Sequence, residues 1–214
     1  IMKIIAESAF NHNGDINYLI NSYQTANNSG ADYFTVQIYS LNDFCVDDYE
    51  RYDTCKECEL SQEDWIKLFQ YAKDLGNIPI IPCTLDIPSF EFCYNRGFKL
   101  IKIHATDILN KELLELIASK KDCKVLLETQ CAGILEIDFA INILGNSVEA
   151  ILHGFSNYPT EHEDINLNAL DHINREWGKK IGLADHTLDV SGIPLMAPAK
   201  GCSYFEKHIT PSRN

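Results

Sequence analysis

Short apolar runs separated by segments of helical spacing recur along almost the whole chain, and this alternation restricts the fold more than any single motif does. Lys3–Ser8, Tyr33–Ile38, Pro79–Leu85, Leu100–Ala105, Lys124–Thr129, Glu149–Gly154, Lys180–Ala184 and Ser203–His208 each read as a buried strand. Between them, Ile16–Asn28 has helical spacing and ends at Gly30, and Ser61-Gln-Glu-Asp64 has the pattern of a capping box for a helix reaching Leu75. Pro88 opens a short helix that stops at Gly97. Lys111–Ser119, Ile134–Leu144 with Gly145 as its stop, Leu167–Trp177 and a small-residue segment before the last strand supply the other helices. Eight strands alternating with seven helices predict a parallel sheet closed into a TIM (β/α)8 barrel, a single domain over residues 1–214. No eighth helix follows, so the barrel is expected to be truncated after strand eight. One connection breaks the rhythm: Tyr39–Glu59 reads as a long irregular loop, acidic and carrying three cysteines, of a length that is usually functional.

Charge and composition narrow the partners. With 18 basic against 31 acidic residues the net charge is −13, which argues against nucleic acid and anionic membrane surfaces and mildly against a strongly anionic substrate. Hydrophobic residues make up 45% of the chain, enough for one sizeable core, yet no apolar run approaches the ~20 residues of a membrane span. Ile1–Glu7 reads as a first strand rather than a signal peptide. Several of the eight cysteines fall inside predicted elements as buried thiols do, which points to a reducing, cytoplasmic setting. Cys55-Lys-Glu-Cys58 alone has metal-like spacing, and without a second pair or a histidine it is weak evidence for zinc.

In a barrel of this kind the chemistry belongs to the loops at the carboxyl ends of the strands. There the sequence places Asn11, His12 and Asn13 after the first strand, Gln37 in the second and Asp107 after the fourth. Asn157, Tyr158 and Pro159 follow the sixth, Asp185 and His186 the seventh, and Glu206 and His208 lie in the eighth. Taken singly, these residue types also suit turns and solvation. His186 and His208 each end an apolar run beside an acid, one strand-helix unit apart; on neighbouring strands their imidazoles emerge at one edge and can share a metal ion. The alternative is two satisfied core histidines. Lys102 lies between Ile101 and Ile103; pointing into the lumen, it needs either an anionic ligand or a structural acid such as Glu7 or Glu128.

At these residues the chain resembles the sialic acid synthase family, N-acetylneuraminate synthase and its legionaminate and pseudaminate relatives. Ala6-Glu-Ser-Ala-Phe-Asn-His-Asn-Gly14, Ala31-Asp-Tyr-Phe-Thr-Val-Gln37 and Lys102-Ile-His-Ala-Thr-Asp107 are similar to three family motifs. So are Tyr158-Pro-Thr-Glu-His-Glu-Asp-Ile-Asn-Leu167, Gly182-Leu-Ala-Asp-His-Thr187 and Glu206-Lys-His-Ile-Thr210, and the set spans nearly the whole chain in order. The resemblance implies a condensation of phosphoenolpyruvate with N-acetylmannosamine or a related amino sugar. It assigns a divalent ion, Mn2+ or Mg2+, to His186 and His208, and the catalytic roles to Lys102, which holds the phosphoenolpyruvate anion, Asp107 and Tyr158. It assigns Asn13, Gln37, Asn157 and Asp185 to substrate binding.

Departures from the family pattern fall on the anion. Thr35 stands where the family has lysine, Ala105 and Ala184 where it has serines, and Glu128 where it has a serine that helps bind phosphoenolpyruvate. The family's carboxy-terminal antifreeze-like domain is expected to be lacking, and an unfinished barrel edge invites a partner, a homodimer among the options. Two functions are therefore carried forward: a nonulosonic-acid synthase, and a divergent paralogue that binds or isomerises a sugar through its metal without phosphoenolpyruvate.

Overall fold

A computed structural model describes residues 1–210. Its eight strands form a closed parallel barrel in sequential order, the architecture expected. They are β1 (Lys3–Ser8), β2 (Tyr33–Ile38), β3 (Ile80–Thr84), β4 (Leu100–Ile103), β5 (Lys124–Glu128), β6 (Val148–Gly154), β7 (Lys180–Asp185) and β8 (Tyr204–His208). Strand interiors are almost wholly buried, as both faces of a parallel sheet covered by crossover helices should be. By contact density the chain divides into two compact units, Ile5–Gly97 with His208 onward, and Ile1–Ile4 with Phe98–Lys207.

In the first unit, α1 (Ile16–Asn28) starts where the Asp15 carboxylate accepts the Asn17 N–H, and it buries Leu19, Ser22, Tyr23 and Ala26, one face at helical spacing. The capping box expected at Ser61 and Asp64 is formed and opens α4 (Gln62–Leu75), which ends at Gly76 in the left-handed region. Asp86 caps α5 (Ile87–Asn95) through the Ser89 N–H at 2.6 Å and also accepts the Ser40 N–H at 2.6 Å.

The segment 39–59, expected to be irregular, instead holds two short helices, α2 (Leu41–Phe44) and α3 (Tyr52–Cys58). They are held by the Tyr39 hydroxyl donating to the Cys55 carbonyl at 2.6 Å and by Glu59 accepting the Leu41 N–H at 2.8 Å. Phe10, Tyr39 and Phe44 pack their rings together over Cys55. Cys55 and Cys58 are both buried, and burial raises both thiols, Cys55 to about 11, which disfavours the thiolate a metal would take.

His12 shows how tightly this unit is dried. It lies in the 3-10 turn Phe10–His12, its Nδ1 accepts the Gly14 N–H at 3.1 Å, its ring meets Trp65 edge-on, and its buried Nε2 has no hydrogen-bond partner among the described residues. Burial lowers its pKa to about 4. Because the unfolded chain then takes up this proton first, the stability contributed by neutral His12 is complete above its unfolded value and is lost as pH falls from about 6.5 towards 4. The expected loss is roughly 3 kcal/mol, read from urea midpoints at about pH 7 and about pH 4.5, and His12→Gln should remove most of that slope.

In the second unit, α6 (Lys111–Ser119) is capped by Asn110, whose side chain accepts the Leu113 N–H. α7 (Ile134–Leu144), α8 (Asn168–Trp177) and α9 (Gly192–Ala199) follow β5, β6 and β7. Register matters here: Lys102 lies opposite Leu126, Glu128 opposite Leu152, Leu152 opposite Gly182, and Gly182 opposite Tyr204. Side chains two apart share a face, so this register puts Lys102, Glu128 and Glu206 on one face of the sheet. Gly182 is required at its position, because a Cβ there would press into the Leu152 side chain and lie 2.9 Å from Tyr204 Cβ and 3.0 Å from the Tyr204 carbonyl oxygen. Among the described residues no helix is long and apolar enough to cross a membrane.

Candidate active site

At the centre of the second unit is a buried lysine between two acids. Lys102 Nζ donates to Glu206 Oε1 at 2.9 Å and to Glu128 Oε1 at 3.1 Å, with the three side chains 0%, 1% and 2% exposed. Of the two acids expected as alternatives for Lys102, Glu128 is a partner; the second carboxylate, Glu206, comes from β8, 104 positions away in sequence. One cation and two anions leave this set with a charge of −1, so it favours cations and opposes anions. Glu128 and Glu206 also belong to a group of buried carboxylates of a kind that could hold a metal ion.

Three further residues support Glu128 and were not expected from the sequence. Gln130 Nε2 reaches Glu128 Oε1 at 3.4 Å, and the Ser156 hydroxyl donates to Gln130 Oε1 at 2.6 Å, which fixes the amide's orientation. His104 Nδ1 accepts the Thr106 N–H at 3.3 Å, so its proton sits on Nε2, which faces Glu128 Oε2 at 3.8 Å. No sequence motif marks these contacts; they follow from register and from the turns after β4 and β6.

His186 comes directly after β7, and its ring is oriented by the backbone. Its Nδ1 lies 2.8 Å from the Phe155 carbonyl oxygen, which can only accept, so Nδ1 carries the proton and Nε2 is the basic nitrogen. Tyr158 lies over this ring with centroids 4.3 Å apart and is itself 62% exposed. Thr160 fastens the same loop: its N–H donates to the His186 carbonyl at 3.0 Å, and its hydroxyl bonds to the Phe155 and Asn157 carbonyls. Asn157 is exposed on this loop. Asp185 is buried and already engaged, accepting Lys207 Nζ at 2.5 Å and the Thr187 N–H at 2.9 Å. Asp107 ends the 3-10 turn after β4 and accepts the Asn110 amide at 2.9 Å.

The first unit holds the remaining expected residues. Gln37 Nε2 donates to Glu7 Oε1 at 3.1 Å, and His208 Nε2 lies 3.7 Å from Glu7 Oε2. Glu7 is buried, and its carbonyl accepts the Ile209 N–H at 2.9 Å. Thr35 lies opposite Glu7 on β2, its buried hydroxyl without a hydrogen-bond partner among the described residues. Asn13 is exposed, in the left-handed region at the end of its turn.

A family model described as the NeuB family matches residues 23–214. The chain belongs to the NeuB family. This NeuB chain is 35% identical to an uncharacterized protein of Methanocaldococcus jannaschii, over 99% of this chain and 63% of that one. It is 31% identical to the N,N'-diacetyllegionaminic acid synthase of Legionella pneumophila, over 99% of this chain and 64% of that protein. It thus spans less than two thirds of the length of these relatives. Among solved structures, the N-acetylneuraminic acid synthetase of Leptospira borgpetersenii, in complex with citrate, aligns at a TM-score of 0.91 and 29% identity, over 99% of this chain and 74% of that one. The resemblance read from the motifs is a family relationship.

Proposed function

We propose that this NeuB chain joins the enol carbon of phosphoenolpyruvate to the aldehyde carbon of N-acetylmannosamine or a related open-chain amino sugar, taking up water and releasing phosphate, with residues 1–214 acting as one barrel domain. The observation that carries this reading is the orientation of His186. With its proton turned to Phe155, it presents a basic Nε2 in the form in which neutral imidazole binds a metal. The motif resemblance gives the ion to His186, directly after β7, and to His208, the last residue of β8. Imidazole ligands with open water positions suit Mn2+, and the resemblance also admits Mg2+. When bound, such an ion supplies Lewis acidity towards the sugar's carbonyl oxygen.

The chain's own groups orient the substrates. Tyr158 offers a hydroxyl and an exposed ring face at the loop after β6, and Asn157 beside it offers amide hydrogen bonds to sugar hydroxyls. The motif resemblance gives Gln37 and Asn13 substrate-binding roles as well, and Asp185 holds its strand end through Lys207. The same resemblance gives Asp107 the role of exchanging a proton at the reacting oxygen. It also makes Lys102 the residue that holds the enolpyruvyl anion.

A second reading is favoured by one observation, that both acids bonded to Lys102 are part of the protein. On that reading the chain binds or isomerises a sugar and has lost phosphoenolpyruvate. The test is release of phosphate from phosphoenolpyruvate: it should require both Mn2+ and an acylamino sugar. No release with any such sugar would overturn the synthase reading, and metal-dependent sugar binding without phosphoenolpyruvate binding would establish the second.

A further inference from the structure

The three cysteines of segment 39–59 take no part in the proposed reaction, yet the fold gathers them. Cys45 follows the last residue of α2 and Cys55 lies in α3, their backbone N–H groups tied to the Leu41 carbonyl at 3.2 Å and the Arg51 carbonyl at 2.9 Å. Cys55 is buried in the cluster of Tyr39, Leu41 and Leu85. Cys45, half-buried, packs against that cluster, and its thiol is a hydrogen-bond neighbour of the Cys55 thiol. Cys58, one turn further along α3, is engaged elsewhere, its Sγ donating to the Phe10 carbonyl at 3.5 Å. Two thiols on separate short helices are thus brought together, and Cys45 is the one that solvent reaches. Burial pushes the Cys55 thiol up to about 11, so a dissolved oxidant reacts first at Cys45.

We propose that Cys45 and Cys55 form a redox-responsive pair, oxidised by a peroxide to a disulfide that joins α2 to α3. Cys45 Sγ takes one oxygen of hydrogen peroxide, the O–O bond breaks and a first water leaves, giving a sulfenic acid. Cys55 Sγ then attacks that sulfur; the S–S bond forms as the S–O bond breaks, and the Cys55 proton leaves with the hydroxide as a second water. The two sulfurs give up two electrons in all, and the peroxide is reduced to water. A dithiol reverses the step by exchange. The link closes a loop over the exposed residues 46–50, which limits how far α3 can leave its place. That place is on the turn after β1: Cys58 bonds to Phe10, and a Cβ at Gly14 would press into the Glu57 carbonyl oxygen. Oxidation therefore pins α3 over the turn that Asn13 ends.

The experiment is stepwise addition of hydrogen peroxide to the reduced chain carrying Cys131→Ser, which removes an exposed thiol able to join two chains. Remaining thiols are alkylated after denaturation, and the chain is cut with trypsin. Cleavage after Arg51 and Lys56 leaves Cys45, Cys55 and Cys58 on different peptides, so the partners are read directly by mass. The expected product is a linked pair of peptides carrying Cys45 and Cys55, lost on adding dithiothreitol, with Cys58 alkylated. Amide hydrogen exchange in α3 should slow by roughly 10–100-fold in the oxidised chain, the upper figure being the entropy of closing a loop of about 11 residues. Adding Cys45→Ser should abolish both the link and the slowing. A Cys55–Cys58 link, Cys45 carried on to sulfinic acid without a link, or unchanged α3 exchange in the linked chain would each overturn the proposal. Oxidised and reduced forms of one chain are compared, so the test survives a Cys45→Ser variant that fails to fold. Neither readout involves turnover, so the synthase reading stands or falls separately.

Discussion

Replacing Lys102 by methionine should destabilise the chain by about 3–5 kcal/mol, because it leaves Glu128 and Glu206 facing each other in a dry interior with no cation between them. In a domain of this size that is a fall of roughly 6–20 °C in thermal midpoint, and urea unfolding would give the same free energy independently. The carboxylates, rather than the lost methylenes and packing, are the cause. Methionine is close to lysine in volume, so no large cavity opens. Adding Glu128→Gln and Glu206→Gln to Lys102→Met should therefore recover most of the loss, since buried ionic sets can often be replaced wholesale at little cost. If Lys102→Met alone costs under about 1 kcal/mol, the two ion pairs are not holding the barrel interior together in solution.

His186→Asn should cost far more in activity than in stability. Removing an outer partner of a metal ligand commonly costs about 10–100-fold in metal affinity, and loss of the ligand itself should exceed that. Mn2+ binding and product formation are both expected to drop by more than about 100-fold. A thermal readout is independent of turnover: Mn2+ at about 100 times its Kd should stabilise wild type by about 2.7 kcal/mol, and should leave His186→Asn unmoved. Asparagine can still bond to the Phe155 carbonyl, so the metal-free midpoint should change little. A variant that binds Mn2+ as wild type does would remove His186 from the metal site.

The barrel was legible because each strand is an apolar run and most helices carry their own start and stop residues, as at Ser61, Pro88 and Gly145. The helices α2 and α3 were not: four and seven residues show too few turns for a helical period to emerge, and their order comes from Tyr39, Glu59 and packed aromatic rings. Within the site, Lys102 stood out as a charge inside an apolar strand, and its need for an acid followed from burial alone. That Glu206 would be one of two could be read only from strand register. Gln130, Ser156 and His104 act through turn geometry, which leaves no spacing signature. Asp185 shows the opposite limit, since its residue type matched a substrate-binding motif while its position commits both oxygens to Lys207 and Thr187.

The loop after β6 is laced to His186 at two points, the Phe155 carbonyl on the ring nitrogen and the Thr160 amide on the backbone carbonyl, with the Tyr158 ring lying against the imidazole between them. Imidazole and tyrosine are therefore fixed against each other by one loop. On the proposed reading, a sugar held by the phenol would bear directly on the orientation of His186 Nε2.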